Sequence, residues 1–235
     1  MIEVKKLHKK FGKLTVLDGL DLSIAEGGIF AVLGPNGSGK TTLIKCLLGM
    51  VIPQAGEILF NNESIIGKSD YRNKINYMPQ IANFPANLSV IELIQMVKNL
   101  RPKKADEKDF IKLFGLEPHL EKKLGNLSGG TKQKVNIVLA FMFDSNLIIL
   151  DEPTTGLDPI ALIHLKDLIQ QAKKQGKTIL VTTHIMSLVD EIADEIVFLL
   201  DGKIYFKGSV PKLKEQTNEP SLEHAIAHLL KSQNV

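Results

Sequence analysis

A single cysteine, Cys46, excludes an internal disulfide. It falls among apolar residues, where a small buried side chain is expected. Long apolar runs are also missing. The longest, residues 135–143 (broken by Asn136) and 196–200, stop well short of the roughly 20 residues that span a bilayer. The opening residues Met1-Ile2-Glu3-Val4-Lys5-Lys6 are not a charged leader followed by an apolar core. These absences predict a cytosolic chain, so that any membrane part would be another polypeptide. A strong charge of one sign is lacking too, since the formal net charge is +3. Lys5-Lys6, Lys9-Lys10 and Arg101-Pro102-Lys103-Lys104 are too short to argue for nucleic acid and read as solvated faces. Repeats and low-complexity segments are absent.

What is present is an ordinary globular composition, 44% apolar and 23% charged, over 235 residues. That length suits one domain, or one with a subdomain, and a sizeable core. Short strands are predicted at residues 2–7 and, after a turn near Asp18-Gly19, at 20–24. An apolar strand at 29–33 runs into Gly34, and a helix at 40–48 follows, stopped by Gly49 and Pro53. Residues 57–60 and 75–78 are further strands. From about residue 81 to 144 the pattern turns helical. Ser89 with Glu92 forms a capping box, with Ile91, Ile94 and Val97 at helical spacing behind it. A second helix is expected at 106–114, and a third opens at Ser128. Strand and helix then alternate: strand 147–150, helix from Asp158-Pro159 to near Gly176, strand 178–182, helix 186–194 and strand 196–200. Asp201-Gly202 turns a hairpin into residues 203–206. The alternation predicts an α/β fold with a mostly parallel sheet and helices on both faces. Leu222, Ala225, Ile226, Leu229 and Leu230 predict one amphipathic helix in a tail over residues 211–235.

Gly34-Pro35-Asn36-Gly37-Ser38-Gly39-Lys40-Thr41 fits the phosphate-loop pattern between a strand and a helix. Its three glycines allow a tight loop whose N–H groups converge on phosphate oxygens. Thr42 continues the set of nucleotide-binding candidates. Lys40 supplies charge for the β- and γ-phosphates, and Thr41 a hydroxyl for Mg²⁺. The apolar strand 147–150 ends in Asp151-Glu152, at the edge where α/β sites lie. Asp151 is the candidate Mg²⁺ ligand, directly or through water. Glu152 is the candidate base for the attacking water. Alone, the pair would read as a solvated strand end; beside a phosphate loop it reads as chemistry. Leu127-Ser128-Gly129-Gly130-Thr131-Lys132-Gln133-Lys134 is the most distinctive stretch. Ser128 can cap a helix, and Gly129 and Gly130 let backbone approach a ligand. A helix that begins so points bare N–H groups outward, which suits a phosphate. A lone Ser-Gly-Gly would serve equally as an ordinary cap.

Together these motifs resemble those of the ATP-binding-cassette (ABC) ATPases over roughly residues 1–210. The resemblance implies a P-loop NTPase core with a mostly parallel sheet. It adds an N-terminal antiparallel β subdomain and an inserted helical subdomain, residues 81–144, within one domain. It gives Gln80 the place of the residue that touches Mg²⁺ and the attacking water. His184 takes the place of the γ-phosphate contact. Asp158, in Gly156-Leu157-Asp158, resembles the family's D-loop, with a helix cap as its other reading and both roles compatible. Phe11 matches the aromatic that stacks on adenine, commonly Tyr in the family, with a core Phe as the other reading. The other histidines, His8, His119, His164, His224 and His228, carry no such match.

The resemblance further implies a head-to-tail dimer with a second copy or a paralogous ATPase. Each ATP would lie between the phosphate loop of one chain and residues 128–130 of the other. Hydrolysis would reopen the dimer and drive separate transmembrane permease subunits, contacted near residues 81–100. The chain would then sit peripherally on the inner face of the cell membrane. Thr131 and Lys134 stand where the family commonly has Gln and Arg, and Lys cannot make Arg's bidentate fork. A soluble ABC ATPase acting on ribosomes or DNA is the competing expectation, without the paired cassettes or long coiled coils such proteins usually carry. A P-loop kinase or GTPase leaves the signature, Gln80 and His184 without a role. Residues 141–150 and 158–163 resemble ATPases of copper or nitrous-oxide-reductase maturation export systems.

Overall fold

The computed structural model describes residues 1–101 and 103–232. Pro102 of the basic stretch and the last three residues of the expected tail lie outside the described residues. The chain opens with β1 (Ile2–Phe11) and β2 (Leu14–Ile24), then β3 (Gly28–Leu33) and helix α1 (Lys40–Leu47). β4 (Ala55–Phe60), β5 (Glu63–Ser64) and β6 (Ile75–Met78) follow. Helices α2 (Val90–Leu100), α3 (Glu107–Leu113) and α4 (Gly129–Phe141) form the helical block. The rest runs β7 (Leu147–Asp151), α5 (Pro159–Lys174), β8 (Thr178–Thr183), α6 (Met186–Ile192), β9 (Glu195–Leu200), β10 (Lys203–Gly208), α7 (Val210–Thr217) and α8 (Leu222–Ser232).

One sheet is antiparallel, ordered β2-β1-β4-β5; the other is ordered β10-β9-β3-β8-β7-β6. In the second sheet only the β9–β10 hairpin is antiparallel. β7 and β8 are buried at every position, as parallel strands covered on both faces must be. Their apolar runs are therefore continuous rather than alternating. One face packs with α5 and with the helical block in a single apolar core that includes Ile29, Met78, Leu150, Val135 and Leu165. The other face packs on α1 and the antiparallel sheet through Leu43, Ile44, Leu20 and Ile58. Cys46 lies in that second core, and burial pushes its thiol up to about 11.

Two expectations are corrected. The first chain reversal is at Gly12 (φ 57), between β1 and β2, not near Asp18-Gly19. Gly19 is left-handed (φ 65) but lies inside β2, where its N–H donates to His8 Nδ1 at 3.1 Å. The β1–β2 register shifts beside it. A bulge and a tight turn both select glycine, so composition alone did not separate them. The tail has two helices, not one. Ser209 caps α7 and Asn218 ends it in a left-handed conformation, while the proline after Val210 suits a first turn. Leu222, Ala225 and Ile226 of α8 pack on Val189, Phe198 and Leu213.

A buried polar cluster joins the helical block to the sheet edge. Asn76 of β6 donates to Phe143 O at 2.8 Å, while its Oδ1 accepts from Arg101 at 2.6 Å and Ser145 at 2.8 Å. Arg101 also donates to Ile75 O at 2.6 Å and lies over the Phe143 ring. Burial lowers its pKa. Phe143 O, Ser145 Oγ and one Arg101 N–H are all met by the Asn76 side chain, so Asn76→Leu should cost about 2–4 kcal/mol through stranded partners. Urea denaturation measures this; an unchanged midpoint would contradict it.

Candidate functional site

The C-terminal ends of β3, β7 and β8 bring the site together. β3 runs into the phosphate loop, and a Cβ on Gly34 would lie 2.1 Å from Leu199 O. Gly37 (φ 85) and Gly39 (φ 108) hold left-handed conformations that side chains resist. Gly39 occupies the cap position of α1 with no side-chain cap, leaving the helix's first N–H groups for a ligand. Pro35, Asn36 and Gly37 are exposed at the mouth, and Thr42 is half-buried in the first turn. Ser38 Oγ is buried without a hydrogen-bond partner. Lys40 is 7% exposed and donates to Gly34 O at 2.7 Å and Pro35 O at 3.1 Å. Burial lowers its pKa, against the pull of Glu152 and Asp151.

Asp151 is 1% exposed at the end of β7. Its Oδ2 accepts from Thr41 Oγ1 at 3.1 Å, and its Oδ1 accepts from Thr182 Oγ1. Thr182 lies beside it in the β7–β8 register. Glu152 is left-handed at φ 49, a strained state for a residue with a Cβ and one that clusters at functional sites. Its N–H donates to Thr182 O at 3.0 Å, which holds it there. The buried Glu152 carboxylate lies 2.9 Å from His184 Nδ1 and 3.9 Å from Lys40 Nζ. His184 is exposed just after β8. The phosphate-loop lysine, both carboxylates and His184 thus share one pocket edge. The oxygens of Thr41 and Asp151 are a hard donor set that fits Mg²⁺, which is usually held by one or two carboxylates plus phosphates.

Gln80 is exposed just beyond β6. The carbonyl of Pro79 before it accepts from Asn136 of α4 at 2.8 Å, which ties this loop to the helical block. Burial, and then the Asp151 charge, push the Tyr77 hydroxyl up to about 12. Phe11 is 49% exposed at the end of β1, so it is not a core residue.

Ser128 caps α4, accepting from Thr131 N at 3.2 Å and meeting Thr131 Oγ1 at 2.8 Å. Gly129 and Ser128 are exposed. Among the described residues no hydrogen bond or ion pair joins residues 128–130 to the phosphate loop of the same chain. The segment packs instead on the loop after Glu152. A Cβ on Gly130 would come within 2.6 Å of Gly156 O, and Gln133 donates to Pro153 O at 3.1 Å. Lys134 pairs with Asp158 Oδ2 at 2.7 Å, while Asp158 Oδ1 caps α5 at Ala161 N (2.9 Å). The Lys134 bond, then the helix N–H, holds the Asp158 carboxyl below its usual range. Sequence reasoning missed Thr182, Gln133 and Asn136 as supports. A hydroxyl inside the apolar strand 178–182 was the one available signal.

The protein-family profile described as ABC transporter matches residues 17–155. The chain belongs to the ABC transporter family. It is 33% identical over 210 residues to the lantibiotic transport ATP-binding protein SrtF of Streptococcus pyogenes, covering 87% of this chain and 89% of that one. The Nod factor export ATP-binding protein I of Burkholderia lata is 32% identical over 220 residues, covering 91% and 72%. A solved ATP-binding subunit of an ABC transporter superposes with a TM-score of 0.91 at 30% identity, covering 98% and 99%. An ATP-binding cassette described as dimeric, post-hydrolysis and bound to ADP and Pi superposes at 0.79 with 26% identity, covering 89% and 98%. The chain is an ATP-binding, ATP-hydrolysing ABC protein of the P-loop fold.

Gln133 and Lys134 hold the loop that follows Glu152, so Lys134→Ala should lower kcat about threefold to tenfold with little change in KM. Lys134→Arg should retain activity. Steady-state ATPase kinetics read this, and an unaltered kcat in the alanine variant would contradict it.

Proposed function

We propose that this chain is the ATPase subunit of an export-type ABC transporter, working as a pair of cassettes on separate transmembrane permease subunits. The observation that carries the catalytic assignment is the Glu152 carboxylate, strained at φ 49 and held between His184 and Lys40. In this reading the ATP phosphates lie on the bare N–H groups of α1, with Lys40 turned from its loop carbonyls toward them. Thr41 and Asp151 would hold Mg²⁺ together with Gln80. Bound there, the ion would neutralise phosphate charge as the terminal phosphoryl leaves. Glu152 orients the attacking water and takes its proton, and His184, 2.9 Å from Glu152, contacts the γ-phosphate from the open side. Phe11 stacks on adenine.

Ser128, Gly129 and Gly130 complete the site of a second copy or of a paralogous ATPase, with Asp158 at the same interface. The exposure of Ser128 and Gly129, and the absence of any hydrogen bond or ion pair from residues 128–130 to the phosphate loop of their own chain among the described residues, support this pairing. So does the likeness to a dimeric cassette. The permease contact fits the apolar groove of about 330 Å³ between the sheet edge and the helical block, lined by Met50, Tyr77, Phe84 and Val97. Among the described residues no helix is long and apolar enough to cross a membrane, so the chain would be held at the inner membrane face through that contact. Export is supported by the named Nod factor relative. The cargo belongs to the permease, and the copper or nitrous-oxide-reductase maturation systems remain part of this proposal as one class of such permeases.

Glu152→Gln removes the base and keeps the shape. Hydrolysis should fall on the order of 10² or more while ATP binding persists. Phosphate release and nucleotide binding, measured together, test the assignment; near-normal turnover would remove Glu152 from this role.

A further inference from the structure

We infer that Lys9 is a positioning residue for the adenine end of the nucleotide site, an inference that rests on the reading of Phe11 given above. Phe11 lies opposite Leu14 at the end of the β1–β2 hairpin. Two residues further along β2, Val16 O would lie 2.9 Å from a Cβ on Gly39. Two residues of strand span about 7 Å, so the hairpin end overhangs the phosphate loop.

Lys9 and Phe11 share one face of β1, as residues two apart on a strand do. Lys9 Nζ sits 4.8 Å from the centroid of the Phe11 ring and donates to Ile52 O at 2.8 Å. The ammonium is thereby tied to backbone at one end and to the ring at the other. Gln54 holds the strand between them. Its side chain accepts from Lys10 N at 2.9 Å and donates to Lys10 O at 3.0 Å, while its own N–H donates to His8 O at 2.9 Å. A hairpin end is ordinarily a mobile place, and this one is fastened at consecutive residues. Phe has no hydroxyl with which to anchor itself. Lys9 covers one ring face and holds the ring's angle, while half of Phe11 stays open to receive a base. The ring is oriented before nucleotide arrives, so less ordering is left to binding.

An exposed cation–π contact corresponds to a change of about twofold to fivefold in affinity. The test is equilibrium binding of ATP and of inorganic tripolyphosphate to the parent, Lys9→Met, Lys9→Arg, Phe11→Leu and the Lys9→Met/Phe11→Leu pair. Thermal unfolding of each variant checks that it is folded. Lys9→Met should weaken ATP by about twofold to fivefold and leave tripolyphosphate unaltered. Lys9→Arg should bind as the parent does, and Lys9→Met should add nothing once Phe11 is Leu. If Lys9→Met weakens tripolyphosphate equally, or acts as strongly without Phe11, Lys9 is a plain charge for phosphates and the inference fails. If Phe11→Leu weakens ATP while Lys9→Met does not, the inference fails and the adenine role of Phe11 stands. If Phe11→Leu changes nothing, the adenine reading fails, and this inference with it.

Discussion

Both oxygens of the buried Asp151 carboxylate are engaged by hydroxyls, Thr41 from the helix after the phosphate loop and Thr182 from the adjacent strand. A carboxylate out of water costs several kcal/mol unless hydrogen bonds and a countercharge offset it. Here the hydroxyls supply the bonds, and Lys40 is the nearby cation, 3.9 Å from the Glu152 carboxylate. Two carboxylates and one ammonium leave the pocket short of positive charge. The arrangement is therefore suited to a divalent cation, and it ties β7, β8 and α1 to one point. Displacing any of the three would move the phosphate loop, the strained Glu152 and His184 together.

The same economy of position holds farther out. Glu152 begins the loop that Gln133 and Lys134 grip from α4. Asn136, on the same helix, grips the carbonyl before Gln80. One helix thus touches the segments on both sides of the pocket, and its N-terminus carries the exposed Ser128 and Gly129. An event at that N-terminus has a short, packed route to Glu152 and to Gln80.

Much of this was legible because the motifs are contiguous. The phosphate loop needs its glycines, lysine and hydroxyl within eight positions, so the sequence pattern and the geometry are nearly one statement. Asp151-Glu152 was legible because an apolar strand ended in adjacent carboxylates. The supports were not. Thr182 reaches Asp151 across 31 positions and Lys134 reaches Asp158 only after α4 and the loop after Glu152 have folded against each other. Gly19 looked like a turn because bulges and turns ask the same of the backbone. Helix α7 was hidden by its short length and polar face. Asp158 proved to serve as cap and as ion-pair partner at once, two uses of two oxygens.

The central claim is that one chain holds two half-sites that complete each other only between copies. It is tested most directly by mixing two inactive variants, Lys40→Ala and Ser128→Arg, and measuring ATPase activity. In a mixed dimer one site carries both lesions and the other carries neither. The account predicts that each variant alone is nearly inactive and that an equal mixture recovers roughly a quarter of the parent rate, from random pairing with one intact site per mixed dimer. A mixture no more active than its components would contradict it.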